Sequence, residues 1–261
     1  MKLFLGILLF IFSATTLNAK EIDLFIMAGQ SNMQGWRSDA AHYPKQNSAL
    51  DTTIPFYFTA VNYSSSNHHW QTLGAQRGHF KAGHFGPEIT FARALRLAHA
   101  NPAIFKYSSG GSSIKKDWKG PGQKGLYDDM VKNLQQAIQQ LQTQGYHVVP
   151  KAIIWIQGES DAYETQLAHE YYWHLKKMLH HLRTVVLHQP RLPVILSVDE
   201  QHPRVQEHPE VVDAQIKLAF DDPDIAFVSM LGLEKSDVTH LTAHGTILQG
   251  KRLFNSYQHM R

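Results

Sequence analysis

The chain has 261 residues, 18% of them charged, no cysteine and a formal net charge of +3. Without cysteine there can be no disulfide, metal–thiolate site or cysteine nucleophile. The small charge excludes a surface built for nucleic acid or anionic membrane.

Residues 1–19 carry one early lysine, Lys2, an apolar run over 3–12 and small residues before Lys20. This is the pattern of a secretory signal peptide cut near Ala19, and the run is too short for a comfortable membrane span. Residues 20–261 are then one exported α/β domain with no stable membrane insertion, periplasmic or secreted. The seventeen histidines are scattered. The adjacent pairs His68-His69 and His180-His181 lack the i,i+4 spacing of a helical zinc site, so no metal is expected.

The first mature element, over 22–27, is a short apolar run rich in β-branched and aromatic residues, which predicts a buried strand. It stops at Ala28-Gly29 and delivers Gln30-Ser31-Asn32. A glycine turn at the carboxyl end of a strand can present Ser31 as a nucleophile, or Ser31 can be a helix N-cap. Residues 36–85 are irregular, with short strands at 54–58 and 70–73. Trp36, Tyr57, Tyr63 and Trp70 are candidates for stacking on sugar or for pinning the loop to the core.

Gly86-Pro87-Glu88 opens a helix. A second strand over 103–107 ends at Ser108-Ser109-Gly110-Gly111, whose backbone N–H groups could face an oxyanion, with Trp118 close enough to wall a pocket. A helix fills 125–145, with Gly145 as its C-cap. A third strand, 151–156, ends in Gln157-Gly158-Glu159-Ser160-Asp161. Three strand ends with glycine turns converge on one edge in a parallel sheet. Gln157 could donate to an oxyanion. Glu159 could be an acid or a supporting hydrogen-bonder, and Glu159 with Asp161 admits a glycosidase reading. A helix over 164–187, a strand at 193–198, a helix at 211–220, a strand at 225–228 and a closing helix at 241–257 complete the chain.

A serine nucleophile needs a base and a group that orients it. Asp237 and His240 are spaced to supply both, and Asp199 and His202 repeat that spacing.

Taken together, Gly29-Gln30-Ser31-Asn32-Met33, Gly110-Gly111-Ser112, the block 155–161 and the Asp237/His240 pair resemble the SGNH hydrolase superfamily. More narrowly, they resemble its sialate O-acetylesterase-like group, which includes the carbohydrate esterase family 6 acetyl xylan esterases. The resemblance spans almost the whole mature chain. It implies a flavodoxin-like three-layer α/β/α fold with a parallel sheet of about five strands. It also implies catalysis by Ser31, His240 and Asp237, and an oxyanion hole from the Ser31 and Gly111 N–H groups. Gln157 would be the third donor, where the wider superfamily has asparagine. The implied activity is removal of O-acetyl groups from a carbohydrate, such as sialic acid or an acetylated polysaccharide, through an acyl-enzyme and with no cofactor. A catalytically idle sugar-binding protein and a lipid esterase on the same fold are the alternatives. The intact Ser31, Asp237 and His240 weigh against the first, and the polar, aromatic 36–85 segment against the second. The sequence sets no oligomeric state.

Overall fold

The computed structural model describes residues 19–260, so the leader expected over 1–19 lies almost wholly outside the described residues. Its centre is β1 (Lys20–Gly29), hydrogen-bonded in parallel to β5 (Pro102–Ser108) on one side and β6 (Tyr146–Ile156) on the other. β7 (Val194–Ser197) and β8 (Ile225–Phe227) follow outward from β6, also parallel. Beyond β5 lies β2 (Pro55–Ala60), parallel to it and flanked by two antiparallel two-residue strands, β3 (Ser64–Ser65) and β4 (Gln71–Thr72).

The order β5-β1-β6-β7-β8 is the doubly wound flavodoxin-like arrangement, with its switch point between β1 and β6. The sheet has a sixth parallel strand beyond the five expected. β2 comes from the irregular 36–85 segment and adds to the free edge of β5.

β1 reads as an unbroken apolar run because both its faces are covered. Leu24, Ile26 and Ala28 join a core with Tyr107, Trp155 and Tyr171, under α3 (Leu126–Thr143) and α4 (Thr165–His181). Phe25 and Met27 point the other way, into a core with Phe91, Ile154 and Leu253. That core lies under α2 (Glu88–Leu97) and α7 (Ala243–His259).

β6 starts at Tyr146, five residues earlier than expected. Its register against β1 shifts between Leu24 and Phe25, which lets the strand carry Pro150 and Lys151 past the irregularity. The expected helix over 164–187 divides into α4 and a π-helical turn, Leu182–Val186. α7 begins at Ala243 because the Thr242 hydroxyl accepts from the Gly245 N–H and caps it. A short α5 (Pro203–Glu207), where the sequence predicts no element, precedes α6 (Glu210–Asp221). No described helix is long and apolar enough to cross a membrane.

Candidate active site

The turn that presents Ser31 follows from one glycine. Gly29 has φ +152°, and a Cβ there would stand 2.0 Å from the Ile156 carbonyl oxygen, so only glycine fits. The next residue, Gln30, donates its N–H to that same carbonyl at 2.9 Å, which carries the β1–β6 pairing to the last residue. The chain then turns into the one-turn helix α1 (Ser31–Gln34). Ser31 is its first residue and does not cap it; Gln30 holds the N-cap position without a side-chain bond.

Two hundred residues later, Asp237 and His240 form a pair. The Asp237 carboxylate meets His240 Nδ1 at 2.9 and 3.0 Å, and its Oδ1 also accepts the Thr239 and His240 N–H groups at 2.8 Å each. This Asx-type turn fixes the carboxylate before the imidazole reaches it and leaves Nε2 with no hydrogen-bond partner among the described residues. Burial pushes the Asp237 carboxyl up, but the hydrogen bonds from His240 and Thr239 prevail and hold it down at about 2. Arg37, just beyond the nucleophile turn, brings Nε within 3.5 Å of Asp237 and Nη within 3.0 Å of His79 Nε2.

Asn32 joins the two regions. Its Nδ2 donates to the Thr239 carbonyl at 2.9 Å, and its Oδ1 accepts the Leu241 N–H at 3.1 Å. Asn32 therefore grips the backbone on both sides of His240, one residue after Ser31. Asn32 lies within the motif around Ser31, but the motif assigns its side chain no task. The signal available was a side chain with both a donor and an acceptor, directly after the strand-end serine.

Glu159 stands behind Asn32. It is fully buried; Oε1 accepts from Asn32 Nδ2 at 3.3 Å and from the Asp199 N–H at 3.2 Å. Burial is the main cause that raises its carboxyl to about 7; the nearby Asp199 charge adds to this and the hydrogen bonds oppose it.

The alternative pair does not form. Asp199 Oδ2 binds Lys235 Nζ at 2.5 Å. His202 Nδ1 accepts the Arg204 N–H at 3.2 Å, which leaves Nε2 to donate to Thr239 Oγ1 at 3.1 Å. Burial lowers the His202 pKa and favours this neutral form. His202 thus braces the His240 loop from outside.

Gly110 and Gly111 come to Ser31 from the end of β5. Both are exposed, and a methyl built on Gly110 would stand 3.8 Å from Ser31 Cβ. Gln157, expected to be a third oxyanion donor, is turned away. It is fully buried, its Nε2 donates to the Ser112 carbonyl at 2.9 Å and Asp161 Oδ2 at 2.5 Å, and its Oε1 accepts from Tyr171. Both amide hydrogens are used, so Gln157 ties down the Gly111-Ser112 loop. Asp161 does the same, accepting from Ser113 Oγ at 2.6 Å and the Ile114 N–H at 2.9 Å. Glu159 and Asp161 serve different partners and do not face each other across a cleft, contrary to the glycosidase arrangement. Trp118 is also buried; its indole N–H donates to Ser112 Oγ at 2.8 Å, so it buttresses the loop and walls no pocket. Of the four loop aromatics, Tyr57 is buried and Trp70 is pinned to the Ala137 carbonyl. Trp36 and Tyr63 remain at the surface with ring centres 4.6 Å apart.

Comparison with known proteins bears on the family and the fold. Residues 21–259 match the family model described as carbohydrate esterase, sialic acid-specific acetylesterase. A probable carbohydrate esterase of Arabidopsis thaliana is 28% identical over 248 residues, which is 90% of this chain and 89% of that protein. An Arabidopsis crystal structure covers 91% of this chain and 98% of its own, with a TM-score of 0.72 at 24% identity. The structure of NanS covers 92% and 98%, with a TM-score of 0.69 at 15% identity. A carbohydrate acetylesterase from Xanthomonas citri covers 91% of this chain and 56% of its own, with a TM-score of 0.58 at 20% identity. With a family model spanning nearly every described residue, the chain belongs to the sialic acid-specific acetylesterase family of carbohydrate esterases.

Proposed function

We propose that the protein removes O-acetyl groups from a carbohydrate by serine acyl transfer. The observation that carries this is the Asn32 grip, which holds the His240 backbone against the turn that bears Ser31. In this reading His240 Nε2 takes the Ser31 proton as Oγ attacks the acetyl carbonyl. Asp237 on Nδ1 fixes the tautomer and stabilises the imidazolium. The Ser31 and Gly111 N–H groups receive the oxyanion. His240 returns the proton to the departing sugar hydroxyl, and water then releases acetate from Ser31. Gln157 and Asp161 act by holding the Gly111 loop. The leader-like residues 1–19 assign this work to an exported protein, which N-terminal sequencing of the mature chain tests by finding Lys20 first.

The deciding experiment is acetate release by the purified protein and its Ser31→Ala variant on p-nitrophenyl acetate, acetylated xylan and O-acetylated sialic acid. Release that disappears in the variant is the expected result. Unchanged release in the variant refutes the serine mechanism, and sugar binding without release moves the protein to the class of idle binders.

A further inference from the structure

At Gly111 the surface opens into a cleft that runs on beyond the acetyl-transfer site. Its first chamber, 490 Å³, is lined by Gly110 and Gly111 and by Lys116, Lys119 and Lys124. It joins a second chamber of 600 Å³ through the shared residues Val61 and Asn62. The second chamber is lined by Tyr63, beside Trp36, and by Arg77. Each chamber alone is in the size range that takes a whole small ligand. Joined end to end from the oxyanion loop outward, they fit a chain of sugars better than a single one.

The charges in this cleft are unequal in their freedom. Its acids are engaged: Asp117 accepts the Ser113 N–H at 2.8 Å, and Asp129 accepts the Tyr107 hydroxyl at 2.6 Å. Lys116 pairs with Glu164. Lys119, Lys124 and Arg77 have no carboxylate partner among the described residues. The two lysines bound a loop that is held by its own hydrogen bonds. Gln123 accepts from Gly120, and Asp128 accepts the Gly122 and Lys124 N–H groups at 2.9 and 2.8 Å. Lys119 sits at φ 60°, ψ −179°, a region kept almost wholly for glycine, and Lys124 at φ 54°. Glycine would relieve this strain, yet lysine occupies both positions; strain of this kind is concentrated at ligand clamps.

We infer that this cleft binds an acidic sugar chain, with a carboxylate of a sugar next to the acetylated one on Lys119 and Lys124, and a further carboxylate on Arg77. The inference rests on the esterase reading and names its substrate class: an acetylated polysaccharide that carries uronic-type acids along its length.

The test compares kcat/KM on acetylated polygalacturonate, on neutral acetylated xylan and on free O-acetylated sialic acid. The proteins are wild type, Lys119→Gln/Lys124→Gln, and Lys132→Gln as a control on the exposed face of α3. The expected result is a fall of about tenfold in the polygalacturonate-to-xylan ratio for the double variant, the size of two exposed charge pairs. The control should keep the wild-type ratio. In wild type the ratio should also fall as salt screens the contact. An unchanged ratio in the double variant overturns the inference. Equal lysine dependence on free O-acetylated sialic acid also overturns it, because the carboxylate would then belong to the acetylated sugar. If wild type releases no acetate from any substrate, the esterase reading has failed. Calorimetric binding of deacetylated oligogalacturonate to wild type and the double variant then decides the cleft by itself.

Discussion

Replacing Asn32 by Ala removes three hydrogen bonds at once: to the Thr239 carbonyl, from the Leu241 N–H and to the Glu159 carboxylate. Each contributes about 0.5–1.5 kcal/mol net, so the variant should lose about 2–4 kcal/mol of stability. For a domain of this size that is a fall in Tm of roughly 5–15 °C. The effect on rate should be larger than folding alone explains. With its backbone grip gone on both sides, His240 can shift by about 1 Å, and a displacement of that size costs about 100-fold in kcat. Asn32→Asp keeps the acceptor for Leu241, loses both donated bonds and sets a carboxyl group against Glu159, so it should not rescue the rate. The assay is steady-state hydrolysis of p-nitrophenyl acetate well below the variant's Tm, with calorimetry on the same samples. A folded Asn32→Ala protein whose kcat stays within about threefold of wild type refutes the argument that Asn32 positions the base.

Two further perturbations follow from the buried charges. Glu159 is held protonated up to about 7, above its ordinary value of 4.5. Between those values the folded state binds the proton and the unfolded state does not, so wild-type stability should fall as pH rises from about 4.5 to 7. The gap corresponds to about 3 kcal/mol. Glu159→Gln, which cannot ionise, should lack this decline and gain on wild type towards pH 8; parallel Tm profiles from pH 5 to 8 would rule the account out. The second perturbation concerns Lys106 and Glu88, fully buried 2.8 Å apart behind α1, where Lys106 also donates to the Gln34 carbonyl at 3.1 Å. Lys106→Met should cost about 3–5 kcal/mol because it strands the Glu88 charge. Lys106→Met/Glu88→Gln should recover part of that loss in urea unfolding. A double variant no more stable than the single one would show that the charge is not the cause.

The sequence showed the frame because parallel strands buried on both faces announce themselves. The apolar runs of β1, β5, β6 and β7 admit few other readings, and the glycines at the ends of β1, β5 and β6 mark where the chain must turn. The Asp237/His240 pair was legible because its partners are three residues apart. The choice against Asp199/His202 was not, because it depends on Lys235, which meets Asp199 only in the folded chain. Gln157 shows the same limit. Its amide looks free in the sequence, and only the fold reveals Ser112, Asp161 and Tyr171 around it. β2 reads as a short strand in the sequence, but its place beside β5 depends on pairing across more than forty residues.

The grip of Asn32 on residues 239 and 241 spans more than two hundred positions of chain. Its far side is secured only when α7 seats against α2, where Thr90 Oγ1 donates to the Ile247 carbonyl at 2.9 Å. At Gly250 the two helices come so close that a Cβ would stand 2.4 Å from the Pro87 carbonyl. In the proposed mechanism the serine is thus synthesised about two hundred residues before its base. Closing so long a loop is entropically slow. A nascent or half-threaded chain would carry a complete nucleophile turn and no means to activate it. In that mechanism turnover would switch on only once α7 is seated, which would make activity a direct report of α7 packing on α2.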